Sequence, residues 1–146
     1  MAEKLQALER RFAVEASLDE AWRELADVEG WPSWAPHIRK VRVDPAGPLG
    51  PESRGRLTLR GGLRSTFRMA TWEPQRRWTW VGPLAWLRVH YDHRFEREPS
   101  GGTNLIWTVS LSGPGASVVR GAFSRAYGRN VDRAIPQLQR KLARQV

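Results

Sequence analysis

The sequence contains no cysteine, which excludes disulfides, thiolate metal ligands and thiol nucleophiles. It also lacks an uninterrupted stretch of about 18 apolar residues, so no transmembrane helix is expected. The first residues, Met1 to Gln6, show no apolar run of the secretory kind. These absences predict a soluble, cytoplasmic protein. With 146 residues, the chain is expected to form one domain over residues 1–146.

Lysine is scarce, occurring at Lys4, Lys40 and Lys141 alone, so the net charge of +9 comes almost entirely from arginine. This excess makes nucleic acids, anionic membranes and acidic ligands candidate partners. The residue usage of an arginine-rich proteome explains it equally well. The eight tryptophans are more unusual, because each large ring requires a core, a cavity or an interface.

The N-terminal third predicts a strand followed by two short helical segments. Apolar and polar residues alternate from Leu8 to Ala16, which is typical of a half-buried strand. Ser17 and Glu20 form a capping box, which predicts a short helix up to about Val28. The segment Gly30–Pro36 contains two prolines and leaves room for a turn or a single helical turn.

The middle of the chain predicts a series of antiparallel strands. Pairs of apolar residues repeat at period two, and clean alternation follows over Leu87–Phe95 and Leu105–Leu111. Gly61, Gly62 and the segment Ser100–Gly102 lie where hairpin turns are needed. The apolar pairs are Val41 and Val43, Leu57 and Leu59, Phe67 and Met69, and Trp78 and Trp80. The sequence therefore predicts a curved sheet of six or seven strands.

After Gly113–Gly115 the apolar period changes to three or four residues, which predicts one long amphipathic helix from Ala116 to the C-terminus. A sheet with one polar face needs a cover, and no other predicted element is long enough. The predicted fold is therefore α+β, with the sheet wrapped around this helix. The basic residues expected to complement the dipole of its last turns are Arg140, Lys141 and Arg144.

The predicted interior is rich in large aromatic side chains with polar tips, unlike a close-packed aliphatic core. We therefore expect a cavity between sheet and helix that holds a small hydrophobic molecule, although the aromatics could instead fill a solid core. Trp31 and Trp34 are candidates for the cavity mouth or for a hydrophobic plug. The predicted ligand-binding residues are Trp31, Trp34, Phe67, Met69, Trp78, Trp80, Tyr91, His93, Phe95, Trp107, Phe123 and Tyr127.

The segment Asp27–Pro36, together with the order of elements, is the most specific family signal in the chain. Further matching features are Phe12–Ser17 with Glu20 and Trp22, Trp78–Gly82, His93–Glu96 and Gly102–Leu105. The sequence resembles the polyketide cyclase/dehydrase branch of the START/Bet v 1-like (SRPBCC) superfamily. This resemblance implies the helix-grip fold with a hydrophobic cavity. It does not imply one activity, because such proteins include aromatase/cyclases, lipid carriers and hormone receptors.

Few residues suggest catalysis. His90 and His93 resemble a metal-binding pair, but their odd spacing on a strand sends them to opposite faces, and the same argument separates Asp92 from His93. No metal site and no cofactor are predicted. His93 with Tyr91 is a candidate general acid/base pair, and a purely structural His93 is the alternative. The predicted function is binding of a lipid, aromatic or polyketide-like ligand, with a polyketide cyclase/dehydratase as the alternative.

Four arginines, Arg56, Arg60, Arg64 and Arg68, share parity and are expected on the convex, solvent-exposed face. A platform for single-stranded nucleic acid would need aromatic side chains on that same face, whereas most of the predicted aromatics point inward. Nucleic acid is therefore not expected as a partner, although weak contact with an anionic surface is compatible with this charge. The chain is expected to be a monomer or a homodimer.

Overall fold

The computed structural model describes residues 4–143 and confirms the α+β, helix-grip-like architecture. Seven strands form one antiparallel sheet in the order β1-β7-β6-β5-β4-β3-β2. The strands are β1 (Leu5–Val14), β2 (Ile38–Asp44), β3 (Arg54–Leu59), β4 (Arg64–Glu73), β5 (Arg77–Leu84), β6 (Leu87–Arg97) and β7 (Thr103–Ser112). The helices are α1 (Leu18–Ala26), a short 3-10 helix (Val28–Ser33) and α2 (Ala116–Lys141).

Both short helices follow β1 as the sequence predicts. The Ser17 hydroxyl accepts a hydrogen bond from the Glu20 amide at 3.3 Å, which caps the first turn of α1. Ala21, Trp22 and Leu25 form the buried face of this helix. Pro32 lies inside the 3-10 helix, whose six residues make about two turns before β2.

Two predicted hairpin turns are present. Gly61 and Gly62 connect β3 to β4 with φ of +96° and +90°, and Gly101 connects β6 to β7 with φ of +98°. These are left-handed conformations that side chains with a Cβ atom rarely adopt. Because every strand from β2 to β7 is joined directly to the next, neighbours in sequence are neighbours in the sheet.

Helix α2 covers the part of the inward face of the sheet that lies near β1. The short helices cover the rest of that face. Helix α2 packs mainly along β1, where the Arg10 guanidinium contacts the Asp132 carboxylate at 2.7 Å and the Gln139 amide donates to the Ala13 carbonyl. The 3-10 helix packs on β2, and α1 contacts β6. The expectation that α2 alone covers the inward face was therefore wrong. A curved sheet of seven strands is wider than one helix, so the side far from β1 needs a second cover.

The end of α2 agrees with the prediction as far as the described residues extend. Arg140 and Lys141 lie in its last turn, where cations complement the helix dipole. Arg144 lies outside the described residues. Over residues 4–143, neither α-helix combines the length and apolar character that crossing a membrane requires.

Candidate functional site

Most of the inward aromatic side chains pack against one another. Trp78 is completely buried, and its ring centroid lies 5.2 Å from that of Trp22, 5.5 Å from that of Phe95 and 4.7 Å from that of His93. Trp80 stacks similarly on Phe67 at 4.2 Å. This part of the interior is solid, as the alternative interpretation of the sequence stated. The predicted ligand-binding residues in this packed cluster, away from the cavity wall, are Phe67, Met69, Trp78, Trp80 and Phe95.

A small cavity remains between α2, the 3-10 helix with the residues that follow it, and strands β6 and β7. Its volume is about 50 Å³, whereas small-molecule sites commonly measure roughly 300–1,000 Å³. Phe123 stacks on Tyr127 at 5.4 Å but stays outside the wall. The predicted ligand-binding residues that line the cavity are Trp31, Trp34, Tyr91, His93, Trp107 and Tyr127.

Several residues that line the cavity are not among the predicted ligand-binding residues. Ala35, His37 and Ile38 follow the 3-10 helix and enter the wall where β2 begins, and Val131 and Ala134 lie on the face of α2. The helical period from Val119 to Leu142 already marked the α2 positions as inward. No periodicity marks His37, because it lies in a connection between two elements.

Trp31 and Trp34 are buried rather than exposed, with 7% and 3% of their surfaces accessible. Their rings contact each other at 5.3 Å and reach the sheet through Trp80 and Trp107. The Trp31 indole N–H donates to the Leu25 carbonyl at 2.9 Å, which fixes its ring. The two residues therefore plug the space between the short helices and the sheet and also form part of the cavity wall.

Three polar atoms on cavity-lining side chains are buried without a hydrogen-bond partner among the described residues: Nε1 of Trp34, Nε1 of Trp107 and Nδ1 of His37. Nε1 of Trp78 is also unpartnered but lies in the packed cluster. A buried donor without an acceptor costs about 1–3 kcal/mol. The indole N–H groups of Trp34 and Trp107 therefore lack acceptors among the described residues. An acceptor atom inside the cavity would supply the missing hydrogen bonds.

Four titratable groups of the cavity wall, on His37, His93, Tyr91 and Tyr127, are held neutral by burial. The Asp92 carboxylate also lines the cavity and is paired with Arg77. Burial lowers the pKa of His93 to about 3 and that of His37 to about 4. Burial also raises the pKa of Tyr91 to about 12 and that of Tyr127 well above its usual value. His93 Nδ1 lies 3.4 Å from the Trp78 carbonyl oxygen, which favours the tautomer protonated on Nδ1. At neutral pH these groups favour an uncharged ligand.

His90 and His93 lie on opposite faces of β6, as their odd spacing predicts. His90 points outward, with Nε2 2.8 Å from the Ser112 hydroxyl, whereas His93 points inward. The Asp92 carboxylate accepts from Arg77 at 2.9 Å. No group of three or more potential metal ligands occurs within residues 4–143.

Comparison with known proteins gives the family. Residues 6–143 match the family described as polyketide cyclase / dehydrase and lipid transport. The chain belongs to this family. An uncharacterized protein from Mycobacterium tuberculosis is 31% identical, with the match covering 66% of this chain and 60% of that protein. The chain thus spans less than two thirds of the length of the curated relatives it matches.

Solved structures of other proteins show the same fold. The di-domain ARO/CYC StfQ from the steffimycin biosynthetic pathway matches 94% of this chain and 51% of its own, with a TM-score of 0.72 and 15% identity. Hypothetical protein jhp0584 from Helicobacter pylori matches 92% of this chain and 86% of its own, with a TM-score of 0.77 and 14% identity. At these identities the likeness concerns the fold of the polyketide cyclase / dehydrase family and not its substrates.

Proposed function

We propose that this member of the family binds a small, uncharged, largely apolar molecule that carries an acceptor oxygen, in the cavity between the sheet and α2. The observation that carries the proposal is the pair of buried indole donors, Trp34 and Trp107, which lack partners and line the same cavity. A carbonyl or similar oxygen would accept from these N–H groups, while the surrounding rings would contact the apolar part of the ligand.

The small volume of the cavity requires that one wall yields when a ligand larger than a few atoms enters. Trp34 is the side chain we expect to move. Its indole makes no hydrogen bond, and it follows a 3-10 helix of six residues, whereas the ring of Trp31 is tied to α1 through the Leu25 carbonyl. Short segments with few hydrogen bonds open at low free-energy cost.

Binding has more support than the alternative function, a cyclase or dehydratase using His93 and Tyr91. An effective general base or acid has a pKa close to the working pH. A pKa near 3 makes the His93 imidazole a weak base, and a pKa near 12 makes the Tyr91 phenol a weak acid. Both groups are instead suited to contacting a neutral ligand through hydrogen bonds. The proposal invokes no cofactor.

Substitution of the two indole donors by phenylalanine tests the proposal. With a panel of quinones, flavonoids and fatty-acid methyl esters, we expect saturable calorimetric binding of at least one uncharged, oxygen-bearing ligand. Trp34→Phe and Trp107→Phe keep an aromatic ring but remove the donor, so each should weaken that binding about five- to tenfold. Trp86→Phe is the matched control, because Trp86 is exposed and outside the cavity, and it should bind as the unchanged protein does.

Two results would contradict the proposal. The first is that no compound of the panel binds saturably. The second is that Trp34→Phe and Trp107→Phe bind the oxygen-bearing ligand as tightly as the control does. Melting temperatures of all three variants, measured in parallel, separate a lost ligand contact from a lost fold.

A further inference from the structure

The large apolar side chains that remain exposed share one end of the molecule. The fully connected antiparallel order places the β3–β4 turn, the β5–β6 turn and the β7–α2 connection at the same end of the sheet. The large hydrophobic residues exposed within the described chain are Leu63 (65%), Leu84 (38%), Trp86 (68%) and Val118 (83%). They lie in or beside these three connections, and we call this set the apolar end. Their position at one end makes the apolar end a candidate interaction site.

Trp86 is the largest of these side chains and is held in place. Its indole N–H donates to the Pro114 carbonyl at 2.7 Å, which joins the β5–β6 turn to the connection before α2. The polar edge of the ring is thereby satisfied within the protein, and most of the remaining surface faces solvent. A pre-oriented, exposed tryptophan is suited to insertion into an apolar or interfacial environment at little cost in side-chain entropy.

Positive charge surrounds the apolar end. The segments that form it contain no aspartate or glutamate, since residues 53–72, 74–91 and 99–131 are free of both. The basic residues at this end include Lys4, Lys40, Arg60, Arg64, Arg88 and Arg120. Burial is the main cause that lowers the pKa of His90, and the nearby charges of Lys4 and Arg88 lower it further. The opposite end carries α1, whose acidic residues are Asp19, Glu20 and Glu24.

The positive surface continues from Arg88 over the outer face of the sheet. An open groove of about 850 Å³ runs across β2 to β6. Its arginines are Arg42, Arg54, Arg56, Arg68 and Arg88. Arg54 contacts the exposed Asp44 carboxylate at 3.5 Å, and Glu29 is the other acidic residue lining the groove. The apolar end is therefore bordered by cations on its outer side as well.

We infer that the apolar end docks onto the surface of an anionic lipid bilayer. Side chains that protrude from three separate connections fit a deformable lipid interface, whereas a protein partner would need a surface shaped to receive each of them. Tryptophan prefers the headgroup region, and surrounding arginines are attracted by anionic lipids. His37 of the cavity wall lies beside this end, because the Arg60 amide donates to its carbonyl at 3.0 Å. The inference does not depend on the proposed function.

Sedimentation with lipid vesicles tests the inference. We expect the protein to bind vesicles of equal parts phosphatidylcholine and phosphatidylglycerol at low ionic strength, and to bind pure phosphatidylcholine far less. Trp86→Ala should weaken this binding roughly tenfold, and Arg88→Gln about fivefold. Trp86→Phe should retain most of it, because an aromatic ring remains. Arg76→Gln is the matched charge control, since the exposed Arg76 lies in the β4–β5 turn at the opposite end, and it should bind normally.

Four results would overturn the inference. Two come from the vesicles: absence of binding to the anionic preparation, or binding that Arg76→Gln weakens as much as Trp86→Ala does. A dimer in sedimentation equilibrium that Trp86→Ala dissociates would assign the apolar end to a second copy of the chain. A gel shift with RNA that Trp86→Ala abolishes would assign it to nucleic acid. The ligand-binding assay on the cavity is independent of all four.

Discussion

Trp78→Ala is expected to lower the free energy of unfolding by about 3–5 kcal/mol. Trp78 is completely buried, and its ring contacts Trp22, Phe95 and His93 with centroid distances of 5.5 Å or less. Removal of the indole leaves a void that these neighbours cannot refill, since their positions are fixed by β6, which carries Phe95 and His93, and by α1, which carries Trp22. Because domains of this size are stable by about 5–15 kcal/mol, this one change removes a large part of the total. Urea denaturation of Trp78→Ala and of the unchanged protein measures the difference in the free energy of unfolding.

Trp86→Ala serves as the matched control for this experiment, because the same indole is removed from a site that is 68% exposed. This substitution should lower the free energy of unfolding by no more than about 1 kcal/mol, mainly because the hydrogen bond to the Pro114 carbonyl is lost. If the two variants lost equal amounts of unfolding free energy, the packed cluster around Trp78 would not act as the rigid core of the sheet. A change in the slope of the denaturation curve would instead indicate an altered unfolded state.

The arrangement of the strands could be predicted from the sequence because it depends on local patterns. The period-two alternation and the glycines at Gly61, Gly62 and Gly101 define the hairpins without reference to the rest of the chain. The same parity argument separated His90 from His93, which the structure places on opposite faces. The start of α2 at Ala116 followed in the same way from the change of period after Gly115.

The interior could be predicted only in part, because parity states which way a side chain points and not what it meets. Trp80 and Trp107 both point inward, yet Trp80 packs on Phe67 in the solid cluster and Trp107 lines the cavity. The difference depends on where α2 and the 3-10 helix lie over the sheet, which no local pattern specifies. The choice between cavity mouth and hydrophobic plug for Trp31 and Trp34 was open for the same reason, since their cover is the sheet itself.

Arg10 illustrates a polar contact that sequence distance conceals. It interrupts the alternation of β1 as the sequence shows, and its guanidinium reaches the Asp132 carboxylate on α2 at 2.7 Å. This contact raises the pKa of Arg10, and the hydrogen bond to Asp132 is the main cause. The partner of Arg10 is 122 positions away along the chain and cannot be read from the spacing.

Acid is expected to destabilise the fold through the two buried histidines. Folding lowers the pKa of His93 to about 3 and that of His37 to about 4, from an ordinary value of 6.5. The stability that comes from keeping both rings neutral is therefore fully present above pH 6.5. It decreases as the pH falls, because the unfolded chain takes up protons that the folded chain refuses. For His93 the loss between pH 6.5 and about 3 is on the order of 4 kcal/mol. His37 is less deeply buried and should contribute less.

Denaturation curves of His93→Phe measured between pH 7 and pH 4 isolate the larger contribution. Phenylalanine retains an aromatic ring against Trp78 and Trp80 and cannot be protonated, so stability at pH 7 should change little and the decrease towards pH 4 should become shallower. His90→Gln should change the slope less, because His90 is half-buried on the outer face. A His93→Phe protein that loses stability with acid as steeply as the unchanged chain would show that His93 is not held neutral by burial. In that case the argument for an uncharged ligand beside it would also fail.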